Sequence, residues 1–164
     1  MGIRNAARAI IVDQRKMLVN KNQNSIGDMC YGIPNGAIYY DLPGGGQNQY
    51  ETLEETVKRE CLEESGYTVA VDRLAAIYEE ISMNDAFRRE YEQHAHRIHF
   101  LFICHVTRGP IKPLAEKDLD MLESVWVDIE EIKDIPLYPQ TIKDNLARIL
   151  GTDSVLYLGS DRVL

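Results

Sequence analysis

The chain has 164 residues, 45% of them hydrophobic and 27% charged, with a formal net charge of −8 at pH 7. That is enough for one domain with its own core, residues 1–164, in the composition range of soluble globular proteins. An acidic balance without a basic stripe argues against a nucleic-acid surface, and no apolar run approaches the roughly 18 residues of a membrane span.

Residues 6–12 form a short apolar run broken by Arg8. A polar turn at 13–16 and a second run at 17–21 complete a hairpin pattern. Residues 22–36, rich in Asn and Gly, read as a loop. A strand at 37–42 runs into Pro43-Gly44-Gly45-Gly46, and a helix follows from Thr52. Residues 67–80 alternate as a strand, 82–93 are charged and irregular, and 96–106 are the strongest strand, stopped by Arg108-Gly109-Pro110. A further strand is expected at 124–129 around Trp126, then a short helix at 129–135. An amphipathic helix at 140–150 has Pro139 near its start, and 155–158 suit an edge strand. The aromatics Tyr39, Tyr40 and Trp126 read as core or rim.

Cys30, Cys61 and Cys104 are odd in number and widely spaced, which suits reduced thiols rather than a disulfide framework. No apolar leader precedes Asp13, so no signal peptide is expected. A cytoplasmic protein is the default reading.

The helix after the glycines carries the chemistry. Thr52 and Glu55 have the form of a capping box, and Gly66 suits a left-handed C-terminal cap. At about 100° per residue, Leu53, Val57 and Cys61 make one apolar stripe, with Cys61 a small core hydrophobe. Glu60 and Glu64 fall in or beside that stripe, and Glu63 stands slightly further round. Buried carboxylates cost several kcal/mol unless a cation faces them. Glutamates at i, i+3 and i+4 supply hard oxygens, which suit Mg²⁺ or Mn²⁺ rather than Zn²⁺.

Gly45, five residues, Glu51, seven residues, Arg59-Glu60, then Glu63-Glu64, one residue and Gly66: this spacing resembles the signature of the Nudix hydrolases. Cys61 and Tyr67 stand where an aliphatic residue is more usual. The resemblance implies an α+β fold, the Nudix-type α/β/α sandwich with a mixed β-sheet between helices. It also implies a Mg²⁺- or Mn²⁺-dependent hydrolase of a nucleoside diphosphate linked to another moiety. ADP-ribose or a nucleotide sugar is the first expectation, although Ser82 replaces the proline associated with ADP-ribose members. A (d)NTP pyrophosphohydrolase is the alternative. Rivals from other classes are a non-catalytic nucleotide-binding regulator, which would tend to lose box glutamates, and an RNA-decapping enzyme, which would favour a basic groove.

By the same resemblance, Glu60, Glu63 and Glu64 are the metal ligands, joined by the carbonyl of Gly44. Glu60 or Glu63 would serve as general base. The helix spacing lets Arg59 and Glu51 meet and orient the glutamates. Glu116 is the first choice for a remote metal ligand, with Asp118 and Glu123 as alternatives. Gly45 and Gly46 allow close approach of a ligand to backbone. Arg4 and Arg8, a strand period apart, are candidates for a substrate phosphate or base. Four histidines crowd 94–105; in an extended strand His94 and His96 share one face, His99 and His105 the other, which speaks against a three-histidine zinc site. The partner expected is a small nucleotide, with no nucleic acid and no membrane. Homodimers are common under the resemblance, though nothing in the sequence demands one.

Overall fold

The computed structural model describes residues 2–27, 32–111 and 120–163. Strands β1 (Arg4–Asp13) and β2 (Lys16–Gln23) form the expected hairpin. Its two-residue turn places Gln14 and Arg15 at φ 45° and 66°, the mirror-image turn that matches strand twist. β3 (Ile38–Asp41) and a three-residue strand β4 (Gly44–Gly46) lead into helix α1 (Leu53–Ser65). β5 (Thr68–Ser82), a short helix α2 (Asp85–Glu90), β6 (His96–Arg108), β7 (Met121–Asp128), helix α3 (Gln140–Leu150) and β8 (Leu156–Val163) complete the order.

A mixed sheet runs β4–β1–β6–β5–β8, parallel at β1–β6 and β5–β8, antiparallel at the other pairings. β2 joins it through the hairpin and carries β3 and β7 on its two sides, both antiparallel. Alternate residues of β1 face opposite layers. Ala7, Ala9 and Ile11, with Phe102 of β6, pack on Val57 and Cys61 of α1. Ile10 and Leu101 pack with Ile142, Leu146 and Ile149 of α3. The sheet is therefore held between helices, as expected.

A 13-residue helix is marginal on its own. α1 is fixed by its buried stripe and its ends: Thr52 accepts from the Glu55 N–H while the Glu55 carboxylate accepts from the Thr52 N–H, and Gly66 closes the helix at φ 76°. Cys61 is fully buried and, like Cys104, a free thiol.

Three elements differ from expectation. α2 lies inside the segment read as irregular, because six residues are too few to show a helical period; the Asn84 side chain caps it and Phe87 is its buried anchor. β4 has no side chains from which a strand could be read. β8 extends well past 158, its alternation interrupted by Gly159 at φ 88°. β8 also braces the sheet: Asp161 accepts from Tyr78 of β5 at 3.0 Å and from Thr141 of α3.

A Cβ at Gly66 would collide with the Ile111 carbonyl oxygen in a backbone region already strained for L-residues. Gly66→Ala is expected to cost about 2 kcal/mol or more, against about 1 kcal/mol for Thr52→Ala. Urea denaturation of both variants checks the order.

Candidate active site

The site begins where β4 lies against α1. The Gly44 N–H donates to Oε2 of Glu64 at 2.9 Å, and the Asn20 amide donates to the same oxygen at 2.8 Å. Ser124 donates to the Asn20 carbonyl oxygen at 2.8 Å, which sets the amide orientation. One residue along, the Glu60 carboxyl fills the space beside Gly45; a Cβ there would stand 2.5 Å from it. Adjacent glycines thus receive carboxylates from successive turns of the helix.

Burial is costly for both acids. It pushes the Glu64 carboxyl up to about 8, helped by the negative charge of Asp41 and opposed by Arg8. Burial also raises Glu60, against the pull of Arg59 and Arg8. Glu51 goes the other way: hydrogen bonds from Arg59 hold it down at about 2. Arg59 grips Glu51 with two nitrogens at 2.7 and 3.0 Å, and reaches Glu60 at 2.8 Å, Glu63 at 3.0 Å and the Gly46 carbonyl at 3.2 Å. It is the hub that fixes three acidic side chains relative to β4.

Arg8 approaches from β1. Its Nη1 donates to the carbonyls of Gly44 at 2.5 Å and Leu42 at 3.0 Å, and stands 3.7 Å from Asp41. The Arg4 guanidinium lies over Gly46, where a Cβ would collide with it. Above them opens a cleft of about 400 Å³, lined by Arg4, Arg8, Gly44, Gly45, Gly46 and Glu60 among others.

Most residues singled out in the sequence therefore meet. Gly44, Gly45, Gly46, Glu60, Arg4 and Arg8 face the cleft, with the half-buried Glu64 held against Gly44. Glu63, 35% exposed, is drawn onto Arg59. Among the described residues no three His, Cys, Asp or Glu side chains converge as a ready-made metal cage. Glu116 and Asp118 lie outside the described residues. Glu123 pairs instead with Lys21 across β2–β7 at 3.7 Å.

The histidines separate further than expected. His94 belongs to a 3-10 turn before the strand and reaches the cleft. His96 contacts Glu79, and His105 contacts Asp72, each at 2.8 Å. His99 is buried. Sequence reasoning missed Asn20, Asp41 and Arg97 as neighbours of the site, because only strand register brings them there, and Asp120, which reaches the cleft from the turn before β7. Trp126 donates to the Tyr67 hydroxyl at 3.0 Å, at the rim of the α1 layer.

The domain profile of the NUDIX domain matches residues 2–147. The chain belongs to the Nudix family. A Caenorhabditis elegans protein described as a nudix hydrolase is 29% identical over 92 residues, covering 56% of this chain but 21% of that protein. Among solved structures, a NUDIX hydrolase from Nitrosomonas europaea superposes with TM-score 0.67 at 20% identity, covering 92% of this chain and 90% of that one. An ADP-ribose pyrophosphatase from Streptococcus suis gives 0.61 at 19% identity, covering 95% and 99%. A UDP-X diphosphatase gives 0.62 at 17% identity, covering 98% and 68%. At these identities the structural likeness speaks for the fold. Among the described residues no helix is long and apolar enough to cross a membrane.

Because the folded Glu64 carboxyl titrates near 8 and a free one near 4.5, the folded state holds its proton more tightly. Its contribution to stability is fully present below pH 4.5 and is lost as pH rises toward 8, about 1.4 kcal/mol for each unit of separation. In metal chelator, Glu64→Gln is expected to flatten the fall in stability between pH 5 and 9. Denaturation midpoints across that range test it.

Proposed function

We propose that the protein is a Mg²⁺- or Mn²⁺-dependent pyrophosphohydrolase that cleaves the diphosphate linkage of a nucleotide derivative. One observation carries the reading: the half-buried carboxyls of Glu60 and Glu64 lie against Gly45 and Gly44 at the floor of an open cleft, where partial desolvation penalises their charge. Desolvated carboxylates of this kind are stabilised by a cation.

The donor set fits a hard divalent ion. Glu60, Glu64 and the Gly44 carbonyl would hold it, with Glu63 joining if Arg59 releases it and Glu116 as a remote candidate. The Gly44 carbonyl already accepts from Arg8, so a bound ion would sit beside that guanidinium or displace it. When bound, such ions neutralise phosphate charge and acidify a coordinated water. The protein's own groups do the rest. Arg59, anchored on Glu51, orients Glu60 and Glu63, either of which would take the water proton. Arg4 and Arg8 hold phosphate oxygens, while Gly45 and Gly46 let the substrate lie close to backbone.

ADP-ribose or a nucleotide sugar is the first substrate class and a (d)NTP the second. The structural neighbours named for ADP-ribose and UDP-linked substrates are consistent with the first. The intact glutamates weigh against a regulator without catalysis. Buried free thiols at Cys61 and Cys104 suit a reducing, cytoplasmic setting.

Glu64→Gln is expected to abolish turnover and weaken Mn²⁺ binding; near wild-type rates with Mg²⁺ would remove the assignment. Arg59→Ala should retain the fold and lose about 10- to 100-fold in kcat. A panel of ADP-ribose, nucleotide sugars, dinucleoside polyphosphates, NTPs and dNTPs, read by phosphate release after a coupling phosphatase, identifies the substrate.

A further inference from the structure

Behind the cleft lies a second, smaller space of about 80 Å³, and at its wall is His99. The side chain is 2% exposed, and neither ring nitrogen has a hydrogen-bond partner among the described residues. Buried polar groups are normally satisfied, so an imidazole with both nitrogens idle asks for a ligand or water. Burial and the nearby charges of Arg97 and Arg8 hold its pKa well below the usual value, so the ring is neutral. A neutral imidazole offers one donor and one acceptor.

Strand register explains why space exists there. Across β6, His99 is flanked by Ala6 of β1 on one side and Tyr78 of β5 on the other, and Ala6 is paired in turn with Gly46 of β4. Two residues of little or no bulk leave the row open between the cleft floor and the imidazole. On the other side the ring stacks on Tyr78, centroids 5.7 Å apart. The next row is rigid: Glu80, 2% exposed, accepts from both Arg97 and the Tyr138 hydroxyl. Tyr39, Tyr138 and Ile142 supply apolar wall, and Arg8, Tyr39, Asp41 and Arg97 border both this chamber and the cleft.

We infer that the chamber is the recognition site for the nucleobase of the substrate, with His99 reading a donor–acceptor edge of the ring. This rests on the hydrolase reading above. The size fits an edge rather than a whole nucleotide: the space equals two or three waters at about 30 Å³ each. His99 is two strand spacings from Gly46, about 10 Å, which a ribose and a base ring together bridge when the phosphates lie on the glycines. A phosphate is the poorer occupant of this inner space, because Arg97 is committed to Glu80, the imidazole is neutral and the Asp41 carboxyl borders the space.

The test uses the whole protein in chelator, so that no turnover occurs. Nucleoside 5′-monophosphates are titrated and the His99 ring ¹⁵N resonances followed by NMR, with ribose 5-phosphate and pyrophosphate as controls. At least one nucleotide is expected to move these resonances, and neither control should do so. His99→Leu should weaken nucleotide binding at least tenfold while leaving pyrophosphate binding unchanged, with a Tm no lower than wild type. His99→Gln, which keeps a donor and an acceptor, should retain part of the affinity. Unmoved resonances, an equal response to ribose 5-phosphate, or unchanged nucleotide affinity in His99→Leu would each overturn the assignment, leaving a water-filled space. Failure of the hydrolase reading shows separately, as absence of turnover of the substrate panel by wild type with Mg²⁺.

Discussion

The structure depends on the seam between a strand of three glycines and an acidic helix. β4 is hydrogen-bonded to β1 on one side and carries the carboxyl groups of α1 on the other. Side chains at Gly44 or Gly45 would strike β1 backbone or the Glu60 carboxyl, so sheet and helix can approach only because these positions are bare. Close approach desolvates Glu60 and Glu64, a cost that the proposed function would offset with a cation. Packing and chemistry are here one constraint.

Arg59 keeps this arrangement from being merely repulsive. A single guanidinium that meets three carboxylates and a backbone carbonyl offsets part of the charge on α1. Charge-assisted bonds with two-point geometry also impose direction, so the helix enters the site with its acids already aimed. Arg8 plays the matching part from the sheet, tied to two carbonyls and close to Asp41.

How much of this was legible depended on range. α1 could be read almost to the residue, because its caps, stripe and acids are local and periodic. The same holds for α3 and for the hairpin, whose polar turn separates two apolar runs. β4 was unreadable as a strand, since glycines carry no pattern and only pairing with β1 makes it one. The partners of the site were equally hidden: nothing near Asn20 or Asp41 marks them as neighbours of Glu64, and they arrive through the register of β2 and β3. His99 illustrates the limit well. Its residue type and strand were evident, but its place in the inner chamber arises from Ala6 and Tyr78, which are remote in sequence.

Tyr78, against which that imidazole rests, is itself tethered to Asp161 on the outermost strand, and Asp161 also takes a hydrogen bond from Thr141. β8 lies beyond residue 147, where the match to the shared domain ends. Tyr78, the backing of the inner pocket, lies within the matched span but is braced by a residue outside it. On the inference that this pocket reads the substrate, changes at the periphery would retune selectivity without touching the acidic helix.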